Sequence, residues 1–263
     1  MTTVLCVPQW QGSGLGDSPR LAEGARLTAE LAPADRVVTV PVLDTGGKPE
    51  AGVRGLDVLL ENLRLTYDAL AGIDDLVLTV GGDCAVDLAP IATARDRYGD
   101  ELTVLWIDAH PDLYTPQTLR SGSFHGMVLR TLLGEGPAPM IPARPLVPGQ
   151  VIIAGERAGD ASEHEYLKKA GIRRYGVGEL DRVLDGLIGP VYVHVDLDVL
   201  EPTEFGSLGY PEPDGIPAQQ LIELVSGVEN VVGAAITEHM PTGTAGDAAD
   251  AEVVRRLATV LCR

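Results

Sequence analysis

Asp108, His110 and Asp112 stand two residues apart at the end of an apolar run, residues 102–107. Two carboxylates and an imidazole suit a hard or borderline divalent cation such as Mn²⁺. A second pair, Asp196 and Asp198, closes the apolar run 191–195, Asp83 and Cys84 follow the run 76–80, and Glu238 follows 231–236. Aspartates gathered this closely raise one another's pKa values, and one or two divalent cations remove that conflict. Asp108 and Asp196 as bridging carboxylates would set two ions roughly 3.5–4 Å apart, a spacing that activates a shared water. A lone aspartate at a strand end is more often a turn or helix cap, and Asp83 is read that way.

These side chains need a scaffold that brings distant residues together. Segments 4–7, 36–42, 76–80, 102–107, 151–154, 172–175, 191–195 and 231–236 have strand character. Helical spacing or composition falls between them, from Pro19 to Pro33, over 56–70, 87–97, 124–133, 162–170, 179–187 and 217–226, and from Asp247 onward. This alternation implies an α/β sandwich, a mainly parallel sheet with helices on both faces. In such sheets ligands bind beyond the carboxyl ends of the strands, where every polar cluster of this chain falls. The segment 134–150 holds five prolines and reads as a connection; the alternation continues unchanged on both sides, so residues 1–263 are expected to form one domain. The glycine-rich loop 12–16 partly matches a dinucleotide fingerprint, but Asp17 stands where the third glycine belongs, which leaves a loop near a site mouth.

Hydrophobic residues make up 45% of the 263, enough for a sizeable core, and no run reaches the roughly 18 apolar residues that suggest a membrane span. The first ten residues lack the charged and apolar regions of a secretory signal. The formal net charge of −18 argues against nucleic acid or an anionic membrane as partner. Three widely spaced cysteines, Cys6, Cys84 and Cys262, form no disulfide framework and point to reduced thiols and a cytoplasmic setting.

Taken together, Gly-Gly-Asp-Cys84, Asp108-Ala-His110-Pro-Asp112, Ser121-Gly-Ser-Phe-His125-Gly, His194-Val-Asp196-Leu-Asp198 and Glu238-His-Met-Pro241 resemble, in order, the motifs of the arginase–agmatinase (ureohydrolase) family. The resemblance implies a three-layer α/β/α fold, a pair of Mn²⁺ ions, hydrolysis of a guanidino or related amidine group, and an oligomer. It makes Cys84, Asp108, His110, Asp112, Asp196 and Asp198 the metal positions, with Asp108 and Asp196 bridging. It makes His125 a proton shuttle beside the ions and Glu238 the partner of the substrate guanidinium. The chemistry agrees, because a carboxylate holds a guanidinium by charge-assisted hydrogen bonds and histidine titrates in the range needed to protonate a leaving amine.

The departures carry information. The family has histidine where this chain has Cys84, and a thiolate matches Mn²⁺ less well than an imidazole. The site beside Cys84 is therefore expected to be weak or filled by another divalent ion. An N-hydroxyguanidine, whose leaving group is less basic, becomes a plausible substrate beside arginine. The loop from Asp112 to His125 is closer to arginases than to agmatinases, with Tyr114 and Ser123 in place of two asparagines. Ser121 and Ser123 are then candidate contacts to a substrate α-carboxylate, with Arg120 either reinforcing them or simply solvated. Asp160 and Glu163 are candidate readers of the α-amino group. His164 is expected at the surface, His194 behind the metal ligands, and His239 at the pocket wall. Agmatine, guanidinobutyrate or formiminoglutamate hydrolysis, and a catalytically weakened metal- or metabolite-binding relative, are the alternatives.

Overall fold

In the computed structural model, which describes residues 1–263, eight strands form one sheet. They are β1 (Thr2–Val7), β2 (Arg36–Thr39), β3 (Leu76–Gly81), β4 (Thr103–Ile107), β5 (Val151–Ala154), β6 (Arg173–Tyr175), β7 (Val191–Asp196) and β8 (Val231–Thr237), in the order β2-β1-β3-β8-β7-β4-β5-β6. Every pairing is parallel. Seven helices cover the sheet: α1 (Pro19–Leu31), α2 (Leu56–Leu70), α3 (Leu88–Tyr98), α4 (Val128–Leu132), α5 (Ala161–Ala170), α6 (Ala218–Ser226) and α7 (Asp247–Leu261).

Strands β1, β4, β5 and β7 are buried along their whole length, which is why they read as continuous apolar runs instead of alternating ones. The period of two still sorts their side chains. Leu105 and Ile107 join a cluster with residues of α1, α6 and α7, while Val104 and Trp106 join a second cluster with α2, α3, α4 and α5. The result is the three-layer α/β/α sandwich expected from the alternation.

Several expected elements are shorter than their sequence pattern. β2 pairs with β1 to Thr39; the Val40 N–H still donates to the Cys6 carbonyl at 2.8 Å, and the Val42 N–H then turns back onto the Val40 carbonyl at 2.9 Å, which ends the ladder. The segment 124–133 is split into a 3-10 turn, His125–Met127, and the short α4, since His125 is tied by its N–H to the Gly12 carbonyl at 3.2 Å. The segment 179–187 is not an α-helix. It consists of 3-10 turns at Val177–Arg182 and Leu184–Gly186, with Leu180 and Val183 as its only buried side chains there. The proline-rich connection is ordered and seats Met140 and Leu146 in the core, with the Leu146 N–H donating to the Leu132 carbonyl at 2.8 Å.

Gly24 in the middle of α1 lies against the loop that follows β8. A Cβ at Gly24 would stand 1.7 Å from the backbone oxygen of His239. Helix propensity alone favours Gly24→Ala by about 1 kcal/mol. We expect the opposite sign, a loss of about 1–3 kcal/mol from overpacking, read by urea unfolding. An unchanged or raised midpoint would mean that α1 and the Glu238 loop are not locked together at this contact.

Candidate metal centre

Strands β3, β8, β7 and β4 are consecutive in the sheet, and their carboxyl ends lead into Cys84, Glu238, Asp196 and Asp108. Ile107 pairs with Val195 and Asp196 with Thr237, so Asp108 and Asp196 stand level on adjacent strands. The crevice rule for parallel sheets thus operates on four neighbouring strands.

Hydrogen bonds fix each side chain. Asp108 accepts the Trp106 indole N–H at 2.9 Å on Oδ2 and the His110 backbone N–H at 2.6 Å on Oδ1. Asp196 Oδ1 accepts the Asp198 N–H at 2.8 Å, while its Oδ2 takes the Cys84 thiol at 2.9 Å. His110 Nδ1 lies 2.8 Å from Asp198 Oδ2. His125 Nδ1 lies 3.1 Å from Glu238 Oε1, which also accepts the Cys84 N–H at 3.1 Å. Asp83 is the helix cap expected of it, accepting the Ala85 N–H at 3.0 Å and the Gly12 N–H at 2.8 Å. A Cβ on Gly12 would meet Asp83 Oδ1 at 2.4 Å, so the glycine-rich loop is close-packed against this cap and is no nucleotide cradle. Asp112 and Glu238 hold left-handed backbone angles, φ 51° and 61°, which cost about 1–3 kcal/mol each and concentrate at functional sites.

Ligand atoms of Asp108, His110 and Asp198 lie within 4.8 Å of one another, as do those of Cys84, Asp196 and Glu238 and those of Cys84, Asp108 and His194. Asp112 stands outside these groupings but lines the same cavity. Its Oδ2 and Glu238 Oε2 are buried without a hydrogen-bond partner. Burial, and then Asp198, push the Asp108 carboxyl up to about 6; burial and neighbouring carboxylates raise Asp112 and Asp196 well above the usual range. Burial alone would lower His110, but Asp198 and Asp108 outweigh it and raise it; His110 in turn overrides burial to hold Asp198 low. Orphaned carboxylate oxygens in a buried acidic cluster are the signature of a missing positive charge, and oxygen and imidazole donors fit divalent cations.

A cavity of about 250 Å³ opens over this cluster, lined by His110, Asp112, Asp196 and Asp198 on its floor and by Ser121, Ser123 and His125 on its wall. Gly14, Tyr114, Leu119, Gly126 and Tyr210 complete it. Tyr210, whose ring centroid is 5.2 Å from that of His125, carried no sequence signal beyond its place in the loop after Asp198. Asp160 and Glu163 do not line the cavity. They form the capping box of α5, with Asp160 accepting the Glu163 N–H at 3.0 Å and Glu163 accepting the Asp160 and Leu113 N–H groups at 3.2 and 3.0 Å. Their carboxylates face Tyr114, which takes the cavity position in front of them. His239 is likewise away from the wall; it is buried, 2.9 Å from Thr28 Oγ1, and burial pushes it down to about 4. His164 is half-exposed as expected and pairs with buried Glu156 at 3.0 Å. Arg120 is exposed and outside the lining.

A parallel α/β sheet with a carboxylate-rich, histidine-flanked pit at its carboxyl edge makes that edge a candidate divalent-metal centre. The chain belongs to the arginase family, whose family model matches residues 18–262. It is 35% identical over 154 residues to an arginase of Bacillus subtilis, covering 53% of this chain and 52% of that protein. It is 34% identical over 173 residues to an N(omega)-hydroxy-L-arginine amidinohydrolase of Streptomyces lavendulae, covering 63% and 61%. The chain thus spans about half to three fifths of the curated relatives it matches. Among solved structures, an Entamoeba histolytica arginase in complex with L-ornithine superposes with a TM-score of 0.86 at 22% identity, covering 99% of this chain and 97% of that one. No helix is long and apolar enough to cross a membrane.

The buried carboxyls generate a pH prediction. Asp108 at about 6, Asp83 at about 7 and Glu163 at about 7 hold protons in the folded chain that they release on unfolding at the same pH. Raised carboxyl pKa values stabilise below the unfolded value near 4, and the contribution is lost as pH rises through the folded ones. The metal-free protein should therefore melt at lower temperature as pH is raised from about 5 to about 7.5. A divalent cation at ~100 times its dissociation constant should restore about 2.7 kcal/mol. A melting temperature indifferent to both pH and added Mn²⁺ would count against an ion in this pit.

Proposed function

We propose that this chain is a metal-dependent hydrolase of C–N bonds in guanidino amino acids, of the arginine or N-hydroxyarginine type, and that residues 1–263 act as one domain. The observation that carries the reading is the unpaired Glu238 Oε2, buried beside His125 at the edge of the acidic pit. A planar cation bearing several N–H donors can satisfy such an orphaned carboxylate by charge-assisted hydrogen bonds. Support also comes from the activities of the relatives, an arginase and an N(omega)-hydroxy-L-arginine amidinohydrolase.

Asp108, His110, Asp196 and Asp198, with Asp112 and Cys84 on the other side, would hold two divalent ions of the Mn²⁺ class, the one beside Cys84 weaker for Mn²⁺ or taken by another ion. Bound there, such ions supply Lewis acidity and a strong oxygen nucleophile at neutral pH. Glu238 orients the guanidinium and sits next to the group that must move a proton. Burial opposes a charge on His125, but its hydrogen bond to Glu238 raises its pKa, so the ring holds a proton to give to the leaving nitrogen. Tyr210 lies against His125 and limits the water that reaches it. Ser121 and Ser123 line the cavity and would take the substrate's carboxylate, which supports an α-amino acid over agmatine. Because Asp160 and Glu163 are committed to the α5 cap, they would influence the amino end through Tyr114. A homo-oligomer and a cytoplasmic location with reduced thiols belong to the same reading; all three cysteines are free.

Four measurements test it. Urea or hydroxyurea release should be detected from arginine or N-hydroxyarginine in preference to agmatine and guanidinobutyrate, and turnover of none of the four would overturn the reading. His125→Asn should lower kcat by about 10²–10⁴ as an acid catalyst is lost. Glu238→Gln should cost about 1.5–3 kcal/mol of binding, seen as a kcat/KM roughly 10- to 100-fold lower. Cys84→His should raise Mn²⁺ content and shift preference toward arginine; if content and activity both stay at wild-type values, residue 84 is not a ligand position.

A further inference from the structure

His194 sits behind the pit, fully buried, two residues before Asp196 on β7, so both side chains leave the same face of the strand. Its ring is stacked on Trp106, with centroids 3.5 Å apart and planes 8° from parallel. Nδ1 lies 2.8 Å from Asp87 Oδ2, and the other oxygen of Asp87 accepts the Tyr192 hydroxyl at 2.5 Å. A carboxylate only accepts, so Nδ1 carries the proton and Nε2 presents a lone pair. That lone pair points to Cys84, whose sulfur is 3.6 Å away. The thiol has a single hydrogen, for which Asp196 Oδ2 at 2.9 Å competes with Nε2 in a site closed to water. Cys84 Sγ, His194 Nε2 and an oxygen of Asp108 all lie within 4.8 Å of one another.

We propose that Cys84, His194 and Asp108 form a thiolate–imidazole–carboxylate site for a borderline-soft divalent ion of the Zn²⁺ class, with Asp87 fixing the tautomer and direction of His194. Three features single out this triplet within the pit. Its donors are of three chemical types, whereas the group of Asp108, His110 and Asp198 has no sulfur. The mixture of thiolate and imidazole selects Zn²⁺ or Co²⁺ over Mn²⁺. The carboxylate behind His194 is the outer partner that metal-bound imidazoles commonly have. His194 is clamped by Asp87 on one edge and Trp106 on one face, so its Nε2 is held in place before any ion arrives. The inference rests on reading the acidic pit as a metal centre and adds a ligand and an ion preference to it.

Full-length protein stripped of metal and titrated with Zn²⁺ and Co²⁺ tests this independently of turnover. With Co²⁺ the wild type should develop a near-ultraviolet thiolate-to-metal absorption that Cys84→Ser abolishes. His194→Gln should lose that absorption and bind one equivalent of Zn²⁺ at least ~100-fold more weakly, and Asp87→Asn should weaken the same equivalent by about 10- to 100-fold. Circular dichroism and thermal melting check that each variant is folded; if His194→Gln is not, Asp87→Asn decides. Wild-type Zn²⁺ affinity together with unchanged cobalt–thiolate absorption in the folded variant would overturn the assignment. A wild-type protein that takes up Co²⁺ without any thiolate absorption would overturn it too while leaving the metal centre standing. Failure to bind any divalent ion would remove both.

Discussion

Four aspartates buried within one edge of a parallel sheet repel one another, and the rest of the molecule is arranged around that repulsion. Nothing about a single strand end requires it. The conflict arises because β4 and β7 are neighbours in register, so that Asp108 and Asp196 must stand level, each with a second aspartate two or four residues on. Water cannot relieve it, since these side chains are almost completely buried. The protein's own cations do so only in part: His110 pairs with Asp198, and no lysine or arginine makes an ion pair with any of the four. A cluster that the fold completes but does not neutralise with its own cations is the physical ground for reading this edge as a candidate metal centre.

The strain of holding it is spread over the surrounding loops. Asp112 and Glu238 occupy left-handed backbone angles that place their carboxylates inward, and each leaves one oxygen without a partner. The two oxygens differ in what they can serve. Asp112 lies on the cavity floor beside Asp196 and Asp198, whereas Glu238 is bonded to His125 and to the Cys84 backbone. The first position suits an ion and the second, behind the cavity lining, suits an organic cation, which is the division of labour the proposed function requires.

The sequence is most informative where local chemistry and strand direction coincide. Apolar runs ending in Asp108, Asp196 and Glu238 declare both the parallel sheet and the edge on which ligands meet, because a buried strand and its terminal carboxylate are read from the same few residues. Legibility falls where a side chain's partner lies elsewhere in the chain. Asp160 and Glu163 have the types expected of an amino-group reader, yet Asp160-Ala-Ser-Glu163 is also a capping-box spacing, and the helix uses both carboxylates. His239 is adjacent to Glu238, but its neighbour's left-handed turn sends it toward Thr28 in α1. Tyr210 enters the cavity from an irregular loop with no period to announce it. The segment 177–186 has helical composition but only two side chains to bury, too few to hold an α-helix against the sheet.

His194 shows how far a strand's period of two reaches once the site is known. The same alternation that places Asp196 at the pit places His194 one layer beneath it, where β4 offers Trp106 at the matching register position. A histidine buried there for packing alone would be a poor choice. It must be given a buried carboxylate, Asp87, and a tyrosine hydroxyl to steady that carboxylate, and an apolar residue of similar size would need neither. The chain maintains this three-residue polar column through the core and aims its open end at Cys84. In the proposed site the thiol of Cys84 softens the donor set, and the imidazole arriving from β7 would add a nitrogen donor from the opposite side without moving the carboxylates that define the pit.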